Sequence, residues 1–372
     1  MTSQALDYIT IKGFKSIASI ENLALRPTNL LIGANGAGKS NFIGIFSFLR
    51  AITEGRLQTY VREGGGADQI LHFGAKTTKQ IEIRISFAGG VNEYLLVLGQ
   101  TQDDSFFPER EIAKYSGDRV VGKPVGLTPR DNGLEAGISD PMLGADNIAG
   151  WVRHRLGLWR VYHVHDTSSS SPMRKTAKLN DNSFLRADGS NLPSFLYRLK
   201  RKHGDAYELI RHAVQRVAPF FDDFNLTPDP LNKEAIRLAW RHKGSDQYFG
   251  ASALSDGSLR FIVLATLFLQ PAILRPSVIL VDEPELGLHP AAIALLASLI
   301  KQASVNGQVI LSTQSALLLD YFQPEDVLVA EREAGGTKVR RLEPGRLETW
   351  LEDYSLGQLW EKNELGGRPG PE

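Results

Sequence analysis

The chain is 372 residues long, enough to bury a sizeable core in one large or two moderate domains. Its 42 basic and 42 acidic side chains cancel, which argues against wholesale polyanion binding while leaving local basic faces open, and the lack of cysteine excludes disulfides and thiolate-held metals. The longest apolar run, around residues 261–269, is far short of the roughly 18 residues of a membrane span, and residues 1–7 lack the basic and apolar regions of a secretory signal, so a cytoplasmic protein with no membrane partner is expected.

Residues 8–13 alternate as a strand, Phe14-Lys15-Ser16-Ile17 reads as a turn, and residues 20–25 make a second strand, together a β-hairpin. Asn29-Leu30-Leu31-Ile32 is a short apolar run that predicts a buried strand, and residues 41–49 predict a helix with an apolar face. Between them stands Gly33-Ala34-Asn35-Gly36-Ala37-Gly38-Lys39-Ser40, two glycines separated by four residues and followed by Lys and Ser. Strand, glycine loop and helix is the geometry of a phosphate-binding loop. The backbone N–H groups of Asn35, Gly36, Ala37, Gly38, Lys39, Ser40 and Asn41 are read as the cradle, with the helix N-terminus adding a favourable dipole. Lys39 then reaches the β- and γ-phosphates of ATP, and the Ser40 hydroxyl ligates Mg²⁺.

Gly64-Gly65-Gly66 marks a break, after which residues 80–87 and 94–98 alternate as paired strands across Gly89-Gly90. Residues 99–147, rich in Gly, Pro and Asp, with short pieces such as Arg119-Val120-Val121, are expected as irregular antiparallel structure. A short helix over 148–158 and a strand over 160–165 follow, then a polar loop from Thr167 to about Asp181, expected to be mobile, with Arg174, Lys175 and Lys178. Asn191-Leu192-Pro193 opens a helix, and a second follows Gly204-Asp205 toward Pro219. This helical hairpin exposes Arg198, Lys200, Arg201, Lys202, Arg211 and Arg216, either a solvated face or a nucleic-acid contact, with no aromatic interleaving to signal single-strand stacking. Strands over 235–240 and 247–249 precede a helix from Ser255 to Leu269, a strand over 278–281, a helix over 290–302 and a strand over 308–312. Wholly apolar strands alternating with helices predict a parallel sheet covered on both faces. The tail beyond Glu364 is expected to be disordered.

The strand over 278–281 ends in Asp282 and Glu283. A carboxylate there holds Mg²⁺ in a phosphate-loop enzyme, the role given to Asp282, and Glu283 is positioned to act as general base on the attacking water. The run Asp-Glu-Pro-Glu-Leu-Gly-Leu-His-Pro at 282–290, with Leu254-Ser255-Asp256-Gly257-Ser258 upstream, resembles the ABC-type ATPase heads of the RecF/SMC group. The resemblance implies an α/β P-loop NTPase fold with a mostly parallel core sheet, an antiparallel β lobe and a helical lobe. It also implies that Ser255 and Gly257 contact the γ-phosphate bound by the opposite subunit and that Glu285 to His289 forms the D-loop. Leu311-Ser312-Thr313-Gln314-Ser315 resembles the switch segment, with Gln314 where such heads usually carry histidine, an amide that can hydrogen-bond phosphate or water but carries no charge. Phe14-Lys15-Ser16 resembles the start of these heads, implying Lys15 near phosphate. His163 and His165 share a strand face and raise a metal site, but no third ligand is signalled. The resemblance instead puts this strand end in the Q-loop region, with His165 or Asp166 facing Mg²⁺ or the γ-phosphate and Gln80 as a further candidate.

The likeness spans about residues 7–98 and 220–330 and suggests five regions: an ATPase lobe over 1–98, a β insertion over 99–147, a helical lobe over 148–219, a second ATPase lobe over 220–345 and a tail over 346–372. No heptad pattern lies between the two halves, unlike SMC coiled-coil molecules, and the stretch after the switch is too short for the nuclease domain of the overcoming-lysogenization-defect family. The chain therefore resembles stand-alone, RecF-like AAA-type ATPases of bacteria, associated with DNA repair or with phage defence beside an effector. That resemblance implies a homodimer with ATP sandwiched between subunits, acting on DNA or, alternatively, restraining a separate effector protein without binding DNA.

Overall fold

The computed structural model describes residues 5–117, 120–121, 124–144 and 146–367. Arg119, from the expected insertion, and the tail from Arg368 onward lie outside the described residues. The N-terminal alternation becomes the antiparallel pair β1 (Leu6–Phe14) and β2 (Ile17–Ala24), turning at Lys15, whose φ is 49°. β3 (Thr28–Ile32) is buried at every position and leads through the glycine loop into α1 (Lys39–Thr53). The short helices α2 (Leu57–Glu63) and α3 (Ala67–Ile70) follow. Then come β4 (Gln80–Phe87), β5 (Asn92–Gln100), β6 (Phe106–Gly117), β7 (Val120–Val121) and β8 (Val125–Gly126). With β1 and β2 these make an antiparallel sheet in the order β2-β1-β4-β5-β6-β7, β8 pairing with β6.

α4 (Ile148–Gly157), capped by the Asn147 side chain, returns the chain to β9 (Trp159–Tyr162). Past β10 (Ala177–Lys178), α5 (Leu192–Lys202) and α6 (Gly204–Val217) form the helical hairpin. The strands β11 (Phe221–Asn225), β12 (Ala235–Ile236), β13 (Ala239–His242) and β14 (Tyr248–Gly250) close two small sheets against it. The last third alternates α7 (Asp256–Leu269), β15 (Val278–Asp282), α8 (Pro290–Ser304), β16 (Gln308–Ser312), α9 (Ala316–Leu319), β17 (Val327–Glu333) and β18 (Gly336–Arg341). Two short helices, α10 (Glu348–Asp353) and α11 (Leu356–Glu361), end the described elements. No helix among the described residues is long and apolar enough to cross a membrane.

The core sheet runs β18-β17-β3-β16-β15-β9, parallel throughout except β18. Its strands are apolar on both faces because each face carries its own core. Leu30, Ile32, Ile279, Val281, Val309 and Leu311 pack toward α5 to α8, while Leu31, Leu280 and Ile310 pack toward α1 and the antiparallel sheet.

Four expectations need correction. Within 99–147, β6 is a long strand paired with β5 from Phe106 to Tyr115, with one register shift opposite Val97 and Leu98. Its inward positions include the buried Glu111, which breaks the apolar alternation that would have announced it. The serine-rich loop is not loose: Ser171 is buried and donates to Asp166 O at 2.6 Å, and Arg174 bonds the carbonyl oxygens of Ala251 and Leu254 and pairs with Asp256 at 2.7 Å. β9 stops at Tyr162, so His163 and His165 lie beyond the strand. Finally, Gly366 and Gly367 of the expected disordered tail are ordered against the phosphate loop, the Gly367 carbonyl accepting from Ala34 N at 2.5 Å.

Glu111 clips the insertion to the antiparallel sheet. Its carboxylate accepts from Tyr94 Oη at 2.7 Å, Gly137 N at 2.7 Å and Ile138 N at 2.9 Å. Glu111→Ala strands three buried donors and is expected to lower unfolding free energy by about 3 kcal/mol or more. Glu111→Gln, which keeps one acceptor oxygen, is expected to cost less, and thermal denaturation of both variants checks the order.

Candidate functional site

The buried run of β3 ends at Ile32, and the chain then needs left-handed backbone to curl ahead of α1: φ is 81° at Gly36 and 96° at Gly38. At Gly38 a side chain is also sterically barred, since a Cβ there would lie 1.9 Å from Thr337 Oγ1. The curl leaves the first N–H groups of α1 without intrahelical partners and turned to the loop's concave side, a site for anions. Lys39, buried at the helix start, donates to Gly33 O at 2.7 Å and Ala34 O at 3.0 Å. Burial draws its pKa down, while the carboxylates of Glu283, Asp282 and Glu285 push it back up.

Opposite the loop, β15 delivers two acids. Asp282 accepts a hydrogen bond from Ser312 Oγ through Oδ1, and its Oδ2 lies 3.8 Å from His165 Nε2. Glu283 has a left-handed backbone with φ 42°, and its N–H bonds Ser312 O at 3.0 Å. Its Oε1 accepts from the Gln314 side-chain amide, joining general-base candidate and switch in one contact. One cavity of about 210 Å³ is lined by Asn35, Gly36, Gly38, Lys39, Ser40 and Asn41 on one side and by Asp282, Glu283 and Gln314 on the other. Ala37, also expected in the cradle, buries its methyl group in the core and donates its N–H to Ala34 O at 3.2 Å. Among the described residues no group of three or more His, Cys, Asp or Glu could hold a metal ion by itself. The hard oxygen donors that the cavity does supply, Ser40 Oγ and the Asp282 carboxylate, fit Mg²⁺ shared with a polyphosphate.

Lys15 is not at this cavity. It lines an adjoining cleft of about 560 Å³ together with Ser16, Asp68, Gln69, Phe73 and Arg332. Its backbone is fixed by Lys15 N donating to Ile70 O at 2.7 Å and by His72 Nδ1 against its carbonyl at 2.8 Å. Asn41 lines both spaces and donates to Ser16 Oγ at 2.7 Å, itself 2.7 Å from Thr337 Oγ1. Of the Q-loop candidates, His165 faces Asp282, Asp166 closes a local turn on Ser168, and Gln80 stands exposed at the start of β4.

Ser255 and Gly257 do not line the cavity. Ser255 caps α7, accepting from Ser258 N at 3.1 Å, and stays exposed. A Cβ on Gly257 would sit 2.5 Å from Gly287 O, so the start of α7 packs backbone to backbone on the 285–289 loop, where Leu286 is 51% exposed. One residue here escaped the sequence reading, and another takes a contact that the reading did not give it. Buried Arg260 on α7 donates to Val164 O at 2.8 Å and His165 O at 2.9 Å. Glu285, nearly buried, accepts from Thr313 Oγ1 at 2.6 Å and Gln314 N at 3.2 Å, while its Oε2 has no partner. Burial raises its pKa. The only sequence signal for Arg260 was an arginine inside an otherwise apolar helix, whereas Glu285 stands at the start of the expected D-loop.

Residues 28–320 match the family described as "AAA domain, putative AbiEii toxin, Type IV TA system". The chain belongs to this family. Among solved structures it is similar to an Smc head bound to the C-winged helix domain of ScpA (TM-score 0.61, 16% identity, 92% of this chain and 99% of that one). A Pyrococcus furiosus Smc head with an extended coiled coil, bound to the C-terminal domain of ScpA, is also similar (TM-score 0.59, 14% identity, 94% of this chain and 98% of that one). None of the curated proteins matches the chain in sequence. The family match makes this an AAA-domain protein, and the shared architecture gives it the fold of an SMC head, α/β with a mostly parallel core sheet, as its motifs implied.

The Glu285 contact gives a pH-dependent test. A carboxyl raised by burial favours the folded state most when protonated, so this contribution is lost as pH rises from the ordinary glutamate range through the raised value. Glu285→Gln cannot ionise and keeps an oxygen for Thr313 and Gln314. Its melting temperature relative to wild type is expected to climb as pH rises above the ordinary glutamate range, measured by scanning calorimetry.

Proposed function

We propose that this AAA-family head binds ATP with Mg²⁺, hydrolyses it in the cytoplasm, and does so as a dimer whose ATP-driven closure acts on DNA. The observation that carries the reading is the single cavity in which Lys39, Ser40, Asp282, Glu283 and Gln314 converge. The N–H groups at the start of α1 and the Lys39 ammonium bind and neutralise the triphosphate. Ser40 and Asp282 would hold Mg²⁺, which would supply further charge neutralisation. Glu283 takes a proton from the attacking water, kept in orientation by the Gln314 amide, as water oxygen bonds to the γ-phosphorus and the bridging oxygen leaves on ADP with the bond's electron pair. In this reading the nucleoside extends into the adjoining cleft lined by Phe73, which Asn41 connects to the phosphate side.

A second copy completes the site in this reading: Ser255, Gly257 and the exposed Leu286 form one outward surface that approaches the phosphate loop of the partner. What supports DNA is a pocket of about 440 Å³ on the hairpin lobe, where folding sets Tyr197 and Tyr248 beside Lys200, Arg201 and Arg241. Tyr197 stands within the basic run itself, and the pairing of β13 with β14 adds Arg241 and Tyr248 to this aromatic and basic mixture. A second reading, an ATPase scaffold that restrains an effector protein, is favoured by how the hairpin spends its charge. Arg198 donates to Asn182 O at 3.0 Å and Ser183 O at 3.2 Å, and Lys200 pairs with Asp223 at 2.9 Å.

Lys39→Ala is expected to abolish ATP binding in titration calorimetry, and Glu283→Gln to bind ATP while hydrolysing it about 100-fold more slowly. Unchanged turnover in Glu283→Gln would remove the general-base role. Light scattering of Glu283→Gln with ATP and Mg²⁺ is expected to give twice the monomer mass and Ser255→Arg to prevent it; a monomer throughout sinks the sandwich.

Replacing Arg198, Lys200, Arg201 and Lys202 by Glu separates the two readings. If DNA is the substrate, wild type binds duplex or single strand with ATP, binding falls steeply with salt, and the variant loses it with ATPase intact. No DNA binding by wild type at low salt leaves the effector scaffold.

A further inference from the structure

The segment from Ser355 to Gly367 touches both halves of the proposed ATP site. At one end, the first turn of α11 seats on α9, the helix that begins directly after Gln314 and Ser315. Gly357 N donates to Asp320 Oδ1 at 2.6 Å, and no side chain fits at Gly357, where a Cβ would lie 2.4 Å from Ala316 O. The Ser315 hydroxyl caps α9 by accepting from Leu318 N at 3.1 Å, and Ser315 N donates to Thr313 Oγ1 at 3.0 Å, so α9 and the switch are one hydrogen-bonded piece.

At the other end, Gly367 lies against the rear of the phosphate loop. Its carbonyl accepts from Ala34 N at 2.5 Å, its N–H donates to Glu331 Oε1 at 3.0 Å, and Arg340 holds Leu365 O at 2.8 Å. Gly366 has φ 78° and would put a Cβ 2.1 Å from Glu331 Oε1. Between the two ends Leu359 and Leu365 are buried in the core that also contains α7, α8 and one face of β3, so the segment is anchored along its length. The Ala34 N–H is thereby taken up from behind, and the Ala37 N–H is turned inward on Ala34 O at 3.2 Å.

We propose that residues 355–367 are a tie that positions the switch amide of Gln314 relative to the phosphate loop, so that the two halves of the site hold their spacing during hydrolysis. The segment touches neither substrate nor the reacting atoms; it acts through Asp320 and α9 at one end and through Ala34 at the other. This rests on the ATPase reading of the cavity. If the tie is mechanical, release at either end has the same consequence, and a second release adds nothing.

The test uses the full chain with four single variants and one double. Asp320→Ala frees Gly357 and Glu331→Ala frees Gly367, whereas Asp320→Asn and Glu331→Gln keep the accepting oxygen. Two readouts are taken: steady-state ATP hydrolysis, and hydrogen exchange of a peptide spanning residues 30–41 without nucleotide. Each alanine variant is expected to lower kcat about tenfold with KM nearly unchanged, as a small misplacement of a positioned group does. Each should also speed exchange in the loop peptide, including Asp320→Ala, which does not touch that peptide. The double alanine variant should match the singles, and the amide variants should stay within about twofold of wild type.

Unchanged loop exchange in Asp320→Ala overturns the proposal, as do single effects that multiply in the double variant. So does loss of function in the amide variants equal to that in the alanine ones. Should wild type show no ATP hydrolysis, the ATPase reading fails, and the exchange measurement alone still decides whether the segment couples its two ends.

Discussion

The site exists because β16 lies between β3 and β15 in one fixed register. Ser312 stands beside Leu31 on one side and Asp282 on the other, so the strand that leads to the glycine loop, the strand that carries the acids and the strand that leads to Gln314 end side by side. A slip by one residue would turn every side chain to the opposite face and exchange the two cores. Buried polar residues hold the register. Asn29 donates to Arg26 O at 2.6 Å and accepts from Arg341, and Gln308 bonds Leu6 N at 3.2 Å and Leu6 O at 2.9 Å, fastening the core sheet to β1. An unpaired amide in either place would cost what a buried orphan costs, so wrong registers are excluded as well as the right one favoured.

Charge at the strand ends follows from the same geometry. Glu283, Asp282 and Glu285 all act on the single ammonium of Lys39. An arrangement with more carboxylates than cations opposes a bare triphosphate, whose charge has their sign, and this is the electrostatic reason for pairing ATP with a divalent cation in the proposed reading. Glu285 is the least exposed of the three and spends its one satisfied oxygen on Thr313 and Gln314. Its part is to hold the switch backbone rather than to meet the nucleotide.

Much of this was legible in the chain because it is local. The glycine loop, its flanking strand and helix, the acids closing β15, the serine cap of α7 and the two hairpins each rest on residues close in sequence, where period and capping chemistry speak directly. What was not legible depends on contacts between distant segments. Glu111 occupies an inward position of β6 because Tyr94 and the 137–138 backbone satisfy it, and no local pattern announces a buried acid. Lys15 has a motif resemblance to a phosphate contact, yet its turn is fixed by Ile70 and His72 and faces the neighbouring cleft. Gly366 and Gly367 read as tail composition, but Glu331, Arg340 and Ala34 give them a seat. Tyr248 joins the hairpin pocket only through the pairing of β14 with β13.

The left-handed backbone at Glu283 has a consequence for how this protein can change. A residue with a Cβ sits there at a cost of roughly 1 kcal/mol that glycine would not bear, so substitution to glycine relaxes the chain while removing the carboxylate that Gln314 holds. Selection for heat resistance alone would therefore drift toward a sturdier protein at this position, one that in the proposed reading no longer turns over ATP. A glutamate retained there under such selection would indicate that turnover is what the host requires.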